Sequence, residues 1–198
     1  DFLALAEDNQ DFPIGAGTWL RTHPEDREGT GYTEWSFTQR TRRMPEFAAP
    51  GIGRERTLVT LDLQMNEGAS GVLYAVGGAG GGLTVYMDGG HLVYEYNMLL
   101  IEQFEGRSDG PLEAGKHTIE VKTEIQGPGR PGVATISVDG APSFTVELGR
   151  TVPAAFTATE TFDVGTDLGS PVSLDYAKRR PFSFEGTIGH VHVQLTGR

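Results

Sequence analysis

The 198-residue chain has no cysteine, which removes disulfides, thiolate metal sites and a cysteine nucleophile from consideration. Positive charge is scarce as well, with 16 Lys and Arg against 27 Asp and Glu for a formal charge of −11. A surface of that sign repels phosphate backbones and anionic headgroups, so neither nucleic acid nor a membrane surface is an expected partner. No apolar run approaches the ~18 residues of a membrane-spanning helix. The N-terminus also lacks the basic-then-apolar order of a signal peptide. These absences suit a soluble protein, either cytoplasmic or exported by an address that precedes this stretch. No Gly-x-Ser-x-Gly elbow presents a serine nucleophile, and no repeat of 20–50 residues suggests a propeller or solenoid.

Glycine is abundant, with 28 residues beside 11 prolines, yet it is aperiodic and 37% of the chain is hydrophobic. That composition suits a turn-rich globular fold rather than a linker or collagen. Residues 1–10 place Phe2, Leu3, Leu5 and Ala6 in a short helical pattern without an N-cap, like the end of a longer helix. Loop signals follow as far as residue 31. Beyond Pro50 and Gly51 the period becomes two: Val59, Leu61, Leu63 and Met65 share one face and Thr60, Asp62 and Gln64 the other. Residues 83–87 and 92–96 flank Asp88-Gly89-Gly90-His91 as a hairpin, and Asp139-Gly140 joins a second one. Ile119, Val121 and Ile125 alternate with Glu120, Lys122 and Glu124, and Val191, Val193 and Leu195 alternate with His190, His192 and Gln194. The expectation is an all-β fold, a two-sheet antiparallel sandwich of concanavalin-like or jelly-roll type, with a short N-terminal helix remnant. Residues 1–31 would form that remnant and its loop, and residues 32–198 the sandwich.

Several motifs approach known chemistry. Gly110 to His117 nearly spells a phosphate-binding loop, but His117-Thr118-Ile119-Glu120-Val121 alternates as a strand where a helix would be needed. Gly77 to Gly82 lacks the dinucleotide-binding spacing and reads as an inter-strand loop. His190 and His192 point to one face without an obvious third ligand, and His23 and His91 stand alone. Asp163, Asp167 and Asp175, with Gly165 and Gly169 between them, could supply oxygen ligands to a structural calcium ion. The plainer role for these carboxylates is to accept backbone N–H bonds in turns. Trp19, Trp35, Tyr86, Tyr94 and Tyr96 could line a sugar-binding face, with Tyr94 and Tyr96 on one side of one strand. Glu95 between them is the first suspect for a sandwich glycosidase.

The acidic stretch from Phe162 to Tyr176 resembles a loop in the C-terminal domain of bacterial arylsulfatase-type enzymes. Further segments resemble the same family: Phe12 to Trp19 with His23 to Asp26, Met44-Pro45-Glu46 with Ala49-Pro50, and Gly71 to Gly78. So do Gly81-Gly82, Gly89, Leu92 to Asn97, Leu112 to Lys116, and Val138-Asp139-Gly140. The resemblance implies a sandwich appended to an α/β sulfatase core, with residues 1–10 as the last helix of that core. The family's Cys/Ser-x-Pro-x-Arg motif, source of its formylglycine, does not occur here. The implied role is a catalytically silent accessory domain whose partner is the sulfatase core, and whose core-facing patch could drive self-association when isolated. The alternative left open is a free-standing carbohydrate-binding module using Tyr94 and Tyr96.

Overall fold

The computed structural model describes residues 32–157 and 159–197. The expected helix at residues 1–10, with Trp19 and His23, lies outside them. Among the described residues there are twelve strands and no helix. They are β1 (Glu34–Thr38), β2 (Met44–Pro45), β3 (Thr57–Met65), β4 (Gly71–Gly78), β5 (Gly81–Asp88) and β6 (His91–Met98). The chain continues through β7 (Glu102–Arg107), β8 (Gly115–Ile125), β9 (Gly132–Val138), β10 (Ala141–Leu148), β11 (Thr161–Val164) and β12 (Gly186–Leu195). They form two six-stranded antiparallel sheets, ordered β1-β12-β3-β8-β9-β10 and β2-β11-β4-β5-β6-β7. This is the expected all-β sandwich.

The period-two alternation decides which side chains meet between the sheets. From the first sheet come Val59, Leu61, Ile119, Val121, Ile136 and Val191, and from the second Leu73, Val85, Leu92, Tyr94 and Phe162. Each aliphatic side chain taken fully from water contributes about 1.5–3 kcal/mol, so this interior layer dominates the stability. The hairpins follow from turn chemistry. Gly89 and Gly90 both adopt positive φ (58° and 83°), as do Asp139 and Gly140 (52° and 78°), which gives the twist a two-residue hairpin needs. The turn after β6 breaks that pattern, because Leu99 and Leu100 take positive φ (53° and 60°) despite their bulk. Asn97 holds it, its side-chain oxygen accepting from the Leu100 N–H at 2.9 Å and its amide donating to the Ala79 carbonyl at 3.0 Å.

One local expectation holds and two change. Gly115 to Ile125 is a strand, in agreement with the alternation that argued against a phosphate loop. The glycine run at 77–82 is not a loop, since most of it is strand and only Ala79 and Gly80 turn. The acidic stretch does not begin as a loop, because Phe162 to Val164 pair with β4 inside the second sheet.

Candidate functional site

On the second sheet, the residues that point away from the core should meet water. Most do not. Val72, Ala75, Tyr86 and Val93 form a second apolar cluster with Val172, Tyr176 and Phe182, which belong to the segment 165–185 between β11 and β12. This segment lies across the outer face of β4, β5 and β6. Its aromatic rings interlock there, with Tyr176 stacked on Phe182 at 5.1 Å and edge-on to Tyr86 at 5.1 Å. Asp167 fastens it from within, its Oδ2 accepting from the Val172 N–H at 2.9 Å and from the Tyr176 hydroxyl at 2.8 Å. Burial raises the Asp167 carboxyl above its ordinary range, opposed by those two bonds. At the far end Arg179 reaches Asp88 at 2.7 Å and lies over the Phe182 ring at 4.2 Å.

The cover stops at β6. Ala75, Thr84, Glu95 and Glu105 are successive partners across β4, β5, β6 and β7 on the outer face. Glu95 is 6% exposed, Thr84 is wholly buried, and Glu105 on the edge strand is open to solvent. Glu95 therefore sits where the covered half of the face meets the open half. Burial pushes its carboxyl up to about 7, a bond from the Ser173 hydroxyl opposes the rise, and the charges of Glu105 and Asp175 add to it. Asp175 accepts from the Tyr86 hydroxyl at 3.4 Å. Gln103, Glu105 and Arg107 stand exposed along β7, and Leu174 projects from the covering segment with 74% of its surface free. The result is a polar strip with one buried carboxyl at its inner margin and one apolar side chain beside it.

The residues expected from the sequence to contact a sugar or a metal fall elsewhere. Tyr94 and Tyr96 are completely buried between the sheets and present no ring to a ligand. Their period shows why, since two tyrosines sharing the core face leave Glu95 alone on the outer one. The Tyr96 hydroxyl donates to the Gly53 carbonyl at 2.7 Å and accepts from the Val152 N–H at 2.9 Å, whereas the Tyr94 hydroxyl has no partner. Trp35 packs against the core and Tyr86 lies beneath the cover. The three aspartates do separate work: Asp163 accepts from the Arg43 N–H at 2.6 Å and from the Thr161 hydroxyl at 2.9 Å, Asp167 braces the cover, and Asp175 meets Tyr86. Among the described residues no three His, Cys, Asp or Glu side chains gather as a metal site. His190 is exposed on β12, His192 lies 3.5 Å from the Ser36 hydroxyl, and His91 Nδ1 lies 3.2 Å from the Ser108 carbonyl. Glu105, Ser173 and Tyr176 carry no local motif. Glu105 lies on a charged edge strand without clean alternation, and the other two matter through the surface they cover.

Comparison with solved structures finds the same fold in other β-sandwich domains. No family model matches the chain, and no curated protein does. Among solved structures, the CBM40 module of a Ruminococcus gnavus IT-sialidase bound to α2,3-sialyllactose is similar at a TM-score of 0.56 and 13% identity. That likeness covers 83% of this chain and 90% of the module. A leech intramolecular trans-sialidase is similar at a TM-score of 0.55 and 14% identity, over 83% of this chain and 25% of that one. The LG1-3 region of the laminin α2 chain is similar at 0.51 and 14% identity, over 81% of this chain and 30% of that one. At these identities the likeness is one of fold.

The resemblance to sulfatase C-terminal domains is overturned by these likenesses, none of which points to such a domain. The residues that carried it are largely ones this architecture requires. Gly71 lies against the backbone of Ser183 and Phe184, where a Cβ would come within 2.4 Å, and Gly89 and Asp139-Gly140 are hairpin turns. Turn glycines and alternating aliphatics follow a sandwich wherever it occurs, so they identify the fold and not the family.

Proposed function

We propose that this sandwich is a non-catalytic carbohydrate-binding module whose ligand lies along the outer face of the second sheet, on the strip between β6, β7 and the covering segment. The observation that carries this reading is the placement of Glu95, held at the margin of the cover and paired with exposed Glu105 on the strand that also exposes Gln103 and Arg107. The Ser173 hydroxyl and the Asp175 charge meet it from either side of the exposed Leu174. A sugar offers hydroxyls around its rim and apolar C–H faces, and fixed polar groups beside one apolar side chain complement both. The near full-length likeness to a CBM40 module supports the class. The ligand differs from that module's. Sialyllactose carries a carboxylate, whereas this strip holds Glu95, Glu105 and Asp175, and its Arg107 is turned to Asp88 at 3.8 Å. Like charge disfavours an acidic sugar there, so the ligand is a neutral glycan.

Calorimetric titration with neutral gluco-, galacto- and manno-oligosaccharides and with sialyllactose tests the reading. A neutral oligosaccharide is expected to bind, to lose about tenfold in affinity on Glu105→Ala or Gln103→Ala, and to be unaffected by Thr60→Ala on the other sheet. Sialyllactose is expected not to bind. Equal loss with Thr60→Ala, or sugar hydrolysis that depends on Glu95, would overturn it.

A further inference from the structure

His117 stands where the near-phosphate-loop pattern would carry Ser or Thr, and its surroundings give it another task. It occupies the core-facing row of β8 opposite Leu63, one pair beyond Ile119 and Leu61, with its side chain 13% exposed. Both ring nitrogens have close oxygen neighbours. Nδ1 lies 2.8 Å from the Asp139 carboxylate and Nε2 lies 2.9 Å from the Glu113 carbonyl. Each neighbour can only accept. A neutral imidazole has one N–H, so one of its nitrogens would direct a lone pair at an oxygen lone pair at under 3 Å. The doubly protonated ring alone donates to both.

The two acceptors belong to different parts of the sandwich. Asp139 is in the β9–β10 turn of the first sheet, fixed there by the Thr118 N–H on its other oxygen at 2.8 Å. Glu113 is in the connection 108–114, which carries the chain from the second sheet to the first. That connection leans on the β5–β6 turn, the Leu112 N–H donating to the Gly90 carbonyl at 2.8 Å. We propose that His117 is a proton-dependent clamp at this corner: as an imidazolium it pins the 108–114 connection to the β9–β10 turn, and on losing its proton it releases the connection.

The charged groups around it agree. Asp139 faces the ring from the β9–β10 turn and Glu113 from the connection. From β3, Asp62 accepts the Thr118 hydroxyl at 3.0 Å, and Lys116 points to the opposite face of β8. Partial burial works against the charge, but the bonds to Asp139 and Glu113 outweigh it and hold the imidazole above its ordinary 6.5. Asp139 is correspondingly held below the ordinary carboxylate range, first by the Thr118 N–H and then by His117. A raised folded value means that the clamp's contribution is full below the unfolded pKa of 6.5 and is lost as pH climbs through the folded one.

Nitrogen-15 NMR of the ring in the intact chain tests this directly. Both ring nitrogens are expected to be protonated at pH 6, with titration above 6.5. Amide hydrogen exchange at Leu112 is expected to accelerate above that value by up to about tenfold per pH unit beyond the base-catalysed rise of an unprotected amide. His117→Gln is expected to remove that extra dependence, and Asp139→Asn to bring the titration down. A neutral single tautomer at pH 6, or Leu112 exchange with the same pH dependence in wild type and His117→Gln, would overturn the clamp. Should His117→Gln fail to fold, the ring protonation measured on the wild-type chain still decides the question.

Discussion

The outer faces of the two sheets began as the same kind of surface and ended differently. On the first sheet, Ser36, His192, Thr60, Glu120 and Ser137 are successive cross-strand partners in an accessible polar row. On the second, the corresponding row runs from Ala75 through Thr84 to Glu95 and disappears beneath residues 165–185 until Glu105. An exposed sheet face in an antiparallel sandwich is usually polar by alternation alone. Covering it requires apolar residues on both sides of the strand, which is why β4, β5 and β6 are buried along nearly their whole length. The covered face also holds a carboxyl whose protonation responds to its burial. A cover therefore turns an ordinary sheet face into one with a defined margin.

The comparison can be broken most severely at the cover. Tyr176→Ala removes a ring packed on Tyr86 and Phe182 together with the hydroxyl bonded to Asp167, and is expected to cost about 3–5 kcal/mol in urea unfolding. Thr60→Ala on the open face is expected to stay within about 0.5 kcal/mol. Equal costs at both positions would show that residues 165–185 do not stabilise the second sheet. Within the core, Tyr96→Phe is expected to cost about 1–3 kcal/mol, because it leaves the Val152 N–H and the Gly53 carbonyl without partners. Tyr94→Phe, which deletes an unpartnered hydroxyl, should be neutral or stabilising in the same measurement.

Glu95 gives a subtler comparison. Its carboxyl is raised from 4.5 to about 7, so its contribution to stability is full below 4.5 and declines as pH rises through 7. Glu95→Gln should therefore match wild type near pH 4 and exceed it in denaturation midpoint near pH 8. Ser173→Ala should steepen the wild-type decline by removing the bond that favours the charged form. The smallest expected effect is at the β6–β7 turn. Replacing the exposed Leu100 alone by Gly is expected to stabilise the hairpin by at most about 1 kcal/mol, because Gly accepts the positive φ there while Leu99 keeps its packing against the core.

Much of the sandwich could be read from residues because strands and hairpins are local. Val59 to Met65 declare a face through their alternation, and Gly89-Gly90 and Asp139-Gly140 declare turns through the φ values they tolerate. β7 was not readable, since an edge strand of Glu102, Gln103, Glu105 and Arg107 has no apolar face to signal it. β11 was hidden in a stretch that looked like loop from end to end. The candidate strip was half readable: Glu95 stood out beside its tyrosines, but the sugar-contacting role assigned to Tyr94 and Tyr96 required an accessible face, and burial gave that face to the core.

By itself the sequence determined the period of the strands, the positions of the tight turns and an acidic chain without thiol chemistry, because each depends on neighbouring residues or on simple sums. Only the tertiary structure decided that residues 165–185 cross the outer face of one sheet, that Glu95 marks the edge of that cover, and that His117 sits between two acceptors. Those outcomes depend on groups tens of residues apart meeting in space. Their burial sets both their protonation and the surface left for a partner.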